Sequence, residues 1–330
     1  MAEGRPHPAA HDDDHESVAE TGEFGLIDRV REVGGTNGRV LIGPGDDAAH
    51  LATPDGSFLV STDLLVEGRH FRRDWSTAHQ IGRKAAAANL SDLNAMGGVA
   101  TALTVGLAVP GGTPTEWVVE LARGFEEEAA LVGAHVVGGD MTSADSAVIA
   151  VTVMGEAARP VTRGGALAGD VVAVAGRLGW SAAGYAALSR GFRSPKAAVE
   201  AHRCPTPPYA AGPAAARAGA TAMIDVSDGL LADLGHLAAA ADVTIAVDSA
   251  AIAVDAPIAT VAEALGADPL GFVLTGGEDF ALAATFGSAS DLPEGWRAIG
   301  RVHDRGADDD ALVLVDGSPW DGEQGWQHWR

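Results

Sequence analysis

Lysine is nearly missing from this chain: only Lys84 and Lys196 occur among 330 residues. A site for polyphosphate would therefore rely on arginine, backbone N–H groups or bound cations, and the many aspartates make cations the expected answer. A single cysteine, Cys204, excludes an internal disulfide and a cysteine-based zinc cluster and fits a reducing compartment, so a cytoplasmic location is expected. Basic runs are absent too. With 22 Lys and Arg against 45 Asp and Glu, the formal charge of −23 would repel a nucleic acid backbone. No run of about 18 apolar residues exists to span a membrane. The N-terminus is acidic and His-rich where a signal peptide is basic and then apolar. Neither nucleic acid nor membrane is an expected partner. The Gly-x-x-x-x-Gly-Lys-Ser/Thr loop, the protein-kinase His-Arg-Asp and Asp-Phe-Gly patterns and the Gly-x-Ser-x-Gly elbow are all missing, which excludes the common ATP folds and the usual serine hydrolase.

What remains is a composition that folds. Apolar residues make up 47% and charged ones 20%, inside the globular range, and 330 residues exceed what one core usually serves. Residues 1–20 read as a flexible tail. His7, His11 and His15 fall four apart there, but Pro8 and the Asp12 to Asp14 run argue against a helix that would align them. Two domains are expected, 21–158 and 159–330, joined through the Gly- and Pro-bearing segment Ala158 to Asp170.

In the first, a strand over Phe58 to Asp63 precedes an Ala-rich helix capped by Ser76 or Thr77 and stopped near Met96 by Gly97 and Gly98. A strand from Thr101 to Val109 leads to a second helix, with Thr113 as cap and Glu116 answering it. That helix should bury Trp117, Val118, Leu121, Phe125 and Leu131 before Gly133. Strands at Ala134 to Val137 and Ala147 to Glu156 close the unit. The second series places strands at Val171 to Ala175, Val243 to Val247, Phe280 to Thr285 and Leu312 to Val315. Its helices lie around Ser181 to Ser189 and from about Asp228, with a Pro-rich connector at Pro205 to Pro213. The alternation predicts the α/β class, helices layered on sheets.

The placement of aspartate carries the chemistry. Five places stand out: Gly45-Asp46-Asp47, Ser61-Thr62-Asp63, Asn89-Leu90-Ser91-Asp92, Gly138-Gly139-Asp140 and Asp225-Val226-Ser227-Asp228-Gly229. Asp63, Asp140 and Asp225 are expected at strand ends, where open α/β sheets collect ligands. Each place sets a hard oxygen ligand beside a small residue that lets a ligand approach backbone, the combination a magnesium–phosphate site requires. Taken singly, Asp92 or Asp228 reads instead as a helix N-cap. Magnesium takes few carboxylates per ion, so several loops imply several ions around a shared polyanion. Gly34-Gly35-Thr36-Asn37-Gly38 precedes a strand and reads as a plain turn.

In this order, together with Gly22-Glu23-Phe24, Gly43-Pro44, Gly68, His70 and Gly276-Gly277-Glu278-Asp279, the motifs resemble the thiamine-monophosphate kinases. These belong to the superfamily of aminoimidazole ribonucleotide synthetase and selenophosphate synthetase. The resemblance implies a mixed α/β, two-domain fold whose N-terminal sheet-and-helix domain dimerises. It implies that Asp47, Ser61, Thr62, Asp63, Asp92, Asp140, Asp225 and Asp228, with Asp46 beside them, hold several Mg²⁺ ions. Gly139, Asp140, Arg163 and Ser227 would contact ATP, while His70, Glu278 and Trp326 would face thiamine monophosphate. The implied reaction is in-line transfer of the γ-phosphate to an acceptor that is already ionised, so no covalent nucleophile or dedicated base is expected. Rival readings are a relative with an amide or selenide acceptor, and an acidic protein that merely sequesters divalent ions.

Overall fold

The structure, a computed structural model, describes residues 16–17, 21, 29, 32–42, 50–53, 56–306 and 311–326. Asp46, Asp47, the Gly22-Glu23-Phe24 motif and the three tail histidines lie outside the described residues.

A short antiparallel pair, β1 (Val40–Ile42) and β2 (His50–Leu51), precedes the first domain. That domain is a four-stranded sheet of β3 (Leu59–Val66), β4 (Val99–Val109), β5 (His135–Ser143) and β6 (Val148–Glu156), in the order β3-β6-β4-β5. Helices α1 (Ala78–Ala95) and α2 (Thr115–Ala130) cover one face. Only β4 and β5 pair in parallel within this sheet, and α2 makes the crossover that such a pair needs.

Thr77 starts α1 with a complete capping box: its hydroxyl accepts from Gln80 N and the Gln80 carbonyl oxygen accepts from Thr77 N. Gly97, at φ 70°, ends it, as its sequence position suggests. The expected cap of α2 fails. Pro114 occupies the N-cap and makes no side-chain bond, because the residue before proline is held extended and the helix starts one residue later than Thr113 requires. Leu131, expected in the core, falls after the last turn of α2 and is exposed. Gly82 and Gly124 let α1 and α2 touch along their backbones. A Cβ on Gly82 would collide with the Leu121 carbonyl oxygen, and one on Gly124 with that of His79.

The second domain carries β7 (Val171–Ala175), β8 (Ala222–Val226), β9 (Val243–Val247), β10 (Ala281–Phe286), β11 (Trp296–Asp304), β12 (Val313–Val315) and β13 (Ser318–Pro319). They form one sheet ordered β13-β12-β9-β11-β7-β10-β8, antiparallel throughout except β9 with β12. Its helices are α3 (Trp180–Ser189), α4 (Lys196–Arg203), α5 (Ala211–Ala218), α6 (Leu230–Ala241), α7 (Ala256–Leu265) and α8 (Pro269–Thr275). Every residue of β7, β8 and β10 is buried, as mostly apolar runs covered on both faces should be, with Asp225 and Thr285 the polar exceptions. Leu188, Leu230, Leu234 and Val273 pack on one face. On the other face Met223, Leu282 and Phe286 meet Ala215 of α5 and Ala95 at the end of α1, which joins the two domains. Asn94 adds polar links, accepting from Gly212 N at 3.0 Å and donating to Pro208 O at 3.1 Å.

Candidate active site

Where the domains meet, a cavity of about 940 Å³ opens between β3 and α1 on one side and β8, the turn before β10 and the 323–326 segment on the other. Ser61, Asp63, Asp92, Arg163, Asp225, Ser227 and Asp228 line it, and so do His70, Glu278 and Trp326. These residues, all named from the sequence, are therefore brought together.

Asp92 does not lie in a loop or at a cap, as its motif suggested. It sits in the last turn of α1, and Lys84, Ala88 and Asp92 stack four apart on the face that lines the cavity. Eight residues of helix set the Lys84 and Asp92 backbones about 12 Å apart along the axis. Asp63 and Asp225 likewise lie within their strands, not beyond them. Ser61 and Asp63 point to the helix-covered face because they alternate with exposed Val60, Thr62 and Leu64. Asn89 couples the two elements: its carbonyl oxygen accepts from Asp63 N at 3.1 Å while its amide donates to Ala85 O at 2.9 Å.

At this acidic pole the Ser61 hydroxyl donates to Asp92 Oδ2 at 2.6 Å. Burial, with Asp225 and Asp63 nearby, pushes the Asp92 carboxyl up to about 7. Burial and Asp233 do the same to Asp225, also to about 7, against relief from Ser91 and Arg163. The turn after β8 is shaped by Asp233, which sequence reading missed. Its Oδ2 accepts from the N–H groups of Ser227, Asp228 and Gly229 at 3.0, 3.1 and 3.1 Å, so Ser227 and Asp228 are presented to the cavity on a fixed backbone. Trp326 is anchored against the same turn by its N–H to Asp228 O at 2.9 Å, with its ring half exposed at the cavity rim.

The other pole is built on Glu278, which holds a left-handed φ of 63°, with Phe280 at 51° two residues on. For non-glycine residues this costs energy and tends to persist where function demands it. Asp279 between them accepts from Gly179 N and Ser181 N, so this motif residue caps α3 and does not face the cavity contents. Lys84, with 3% of its surface exposed, donates to Glu278 Oε1 at 2.9 Å and to the His70 carbonyl at 2.9 Å. Burial works to raise the Glu278 carboxyl, yet Lys84 holds it below its usual range. Val66 N–H donates to His70 Nδ1 at 2.9 Å, which leaves the proton of a neutral ring on Nε2. Trp75, Tyr185 and His202 meet edge to face, centroids 5.6 to 6.1 Å apart, and form an aromatic wall. The lysine shortage thus hid a functional position: one of the two lysines sits in an alanine-rich, buried helix, a placement that itself signals a paired role.

Gly139, Asp140 and Thr62 do not join this cavity. In the sheet register Asp63, Val151, Val105 and Gly139 share one row, and Leu64, Ala150, Gly106 and Asp140 the next, so Asp140 lies on the outer face with Leu64. Thr62 is there too, its hydroxyl 2.8 Å from that of Thr152.

Among the described residues no three His, Cys, Asp or Glu side chains converge into a closed metal cage. Oxygen donors buried and crowded together, with two carboxyls pushed up to about 7, nonetheless suit a hard cation that keeps its waters and shares phosphate ligands.

Residues 45–157 match the AIR synthase related protein, N-terminal domain, and residues 168–309 the corresponding C-terminal domain. The thiamine-monophosphate kinase of Mycobacterium tuberculosis is 49% identical over 314 residues, 94% of this chain and 92% of that one. The chain belongs to the thiamine-monophosphate kinase family. The Corynebacterium glutamicum thiamine-monophosphate kinase is 40% identical over 325 residues, covering 95% of each chain. A structure of AaThiL complexed with AMPPCP and TMP superposes with a TM-score of 0.78 at 31% identity, over 96% of this chain and 100% of that one. The two-domain architecture of this family is therefore the fold of this chain.

Proposed function

We propose that the interdomain cavity transfers the γ-phosphate of ATP to thiamine monophosphate, giving ADP and thiamine diphosphate. The observation that carries the reading is the pairing, on one face of α1, of an acidic pole at Asp92 with a charge-compensated acceptor pole at Lys84 and Glu278. Asp63, Asp92, Asp225 and Asp228 would hold Mg²⁺ on the described side, with Asp46, Asp47 and Ser61 as further ligands; Thr62 and Asp140, on the outer face of the sheet, stand away from that cavity. When bound, the ions would neutralise phosphate charge. Arg163 and Ser227 contact the nucleotide, while Gly139 and Asp140 stand outside this cavity; His70, Glu278 and Trp326 face the acceptor. A phosphate oxygen of thiamine monophosphate forms the new bond to the γ-phosphorus as the bond to the β,γ-bridging oxygen breaks, and ADP takes that electron pair. The chain's part is to align the two phosphates and exclude water, so neither a nucleophile nor a base is required.

Two domains bounded at 21–158 and 159–330 follow the same division. The outer face of the first sheet leaves Val60 and Leu64 each 58% exposed, an apolar face suited to a second copy of the chain. Such a homodimer would cover Thr62 and Asp140. With ATP as co-substrate and a lone free cysteine, the proposed location is the cytoplasm. Among the described residues no single helix is long and apolar enough to cross a membrane.

The test is incubation with MgATP and thiamine monophosphate while ADP and thiamine diphosphate are both measured. Equal appearance of the two products is expected; ADP without the diphosphate would overturn the acceptor.

A further inference from the structure

Lys84 touches both halves of the acceptor pole. It leaves the middle of α1 in the first domain, donates to the carbonyl of His70 in the loop after β3, and grips Glu278 in the turn before β10 of the second domain. The Glu278 backbone is in turn tied to the acidic pole, its N–H donating to Ser227 O at 2.7 Å. A further hold on the carboxylate is weaker: His202 Nδ1 stands 3.5 Å from Glu278 Oε2 and only 3.0 Å from the Ser181 hydroxyl. Burial pushes His202 down to about 3, so its ring is neutral and brings no counter-charge.

We infer that Lys84 is a positioning residue for the acceptor, fixing Glu278 and the His70 loop in one geometry across the domain boundary so that the acceptor's ring system is read by a carboxylate that cannot swing. Resting on the proposed reaction, this assignment deepens it: the acceptor subsite forms only when the two domains are docked through this pair. Three features separate it from a purely structural ion pair. The carboxylate faces the cavity, and the side-chain torsions it uses start from a strained backbone. The lysine's second bond goes to the very loop that carries another acceptor-facing residue. Removing a partner from a buried pair also leaves the other charge uncompensated, so Glu278 would relocate or take up a proton.

The experiment compares Lys84→Met, Lys84→Arg, Glu278→Gln and the double variant. KM is measured for each substrate, and Kd for thiamine monophosphate by calorimetry. For Lys84→Met the expected result is a rise of at least tenfold in KM and Kd for thiamine monophosphate, with KM for ATP within about threefold of wild type. Lys84→Arg should recover part of the loss, and the double variant should bind thiamine monophosphate no worse than Glu278→Gln alone. Equal rises for both substrates, a fall in melting temperature alone, or additive losses in the double variant would overturn the assignment. Should Lys84→Met not fold, Lys84→Arg reads the same substrate split at smaller amplitude. Binding does not need turnover, so the two readings separate. A wild type that binds without turning over sinks the reaction and leaves Lys84 to its variants' Kd; one that does not bind sinks both.

Discussion

Asp225, on β8 of the second domain, adds to burial in raising the proton affinity of Asp92, on α1 of the first, while Ser61 bonds Asp92 at 2.6 Å from the neighbouring strand β3. Two domains thus meet over carboxylates that burial first, and neighbouring charge second, disfavour, at the point where a ligand is expected. Such a contact costs stability that a cation would restore.

Asp92→Asn should accordingly separate stability from activity. It keeps an acceptor for Ser61 and removes one of the crowded charges. At pH 8 without divalent ions the variant should gain on the order of 1 kcal/mol, since each tenfold change in proton affinity is worth about 1.4 kcal/mol before solvent screening. Turnover should fall by a hundredfold or more. Urea midpoints and the coupled product assay check both halves, and an unstable variant would contradict the repulsion.

The stability of the metal-free protein should fall as pH rises through 7. Asp92, Asp225, Asp233 and Asp279 are all pushed up to about 7, chiefly by burial, so between pH 4 and 7 the folded chain binds protons the unfolded chain has released. By linkage, stability then declines with pH across that window and levels off above it. His202 acts oppositely: with its folded value near 3, its contribution is lost as pH drops below 6.5, where the unfolded ring charges. Denaturation midpoints at pH 6.5 and 8 isolate the carboxylates, and Mg²⁺ with ATP should stabilise more at pH 8, where protons no longer compete.

Gly124→Ala should destabilise by about 2 kcal/mol or more, because the new methyl must force α1 from α2 against the His79 carbonyl oxygen. Gly133→Ala is no control, since its φ is positive; Gly235→Ala, which meets nothing within 4 Å, is the one expected to be neutral or better. Chemical denaturation of the two variants tests the contrast.

Leu64→Arg should yield a monomer in gel filtration if a second copy covers the outer face of the first sheet. The side chain is exposed in one chain, so folding should survive, with a midpoint shift under about 0.5 kcal/mol. An unchanged oligomer would remove that face from consideration.

How far the sequence speaks varies with the physics involved. Val171–Ala175 and Val243–Val247 were legible as strands to the residue, since buried apolar runs bounded by Gly, Asp or Ala-rich turns admit little else. Ser76 or Thr77 at one end, and Gly97 with Gly98 at the other, announced both ends of α1, and the structure chose Thr77. The strand β11 and the short β2 and β13 went unread, and so did α4, α5, α7 and α8, short helices in Ala- and Pro-rich sequence whose stability comes from packing and not from propensity. In the site, the acidic residues were found but their setting was not. Asp92 belongs to a helix face, and the 84, 88, 92 spacing that reveals this becomes meaningful only once β8 is known to face it. Asp140 could not be assigned to a face without the register of β5 against β4.

The turn after β8 has one more implication. Its three successive N–H groups have the form of an anion receptor, yet Asp233 already fills it from within the chain. A nucleotide stripped of its cation would meet carboxylates on the wall and no spare amide donor in that turn. Under the proposed reaction the turn therefore gives a free nucleotide no amide to bind, which leaves Arg163 and an accompanying divalent ion to offset its charge.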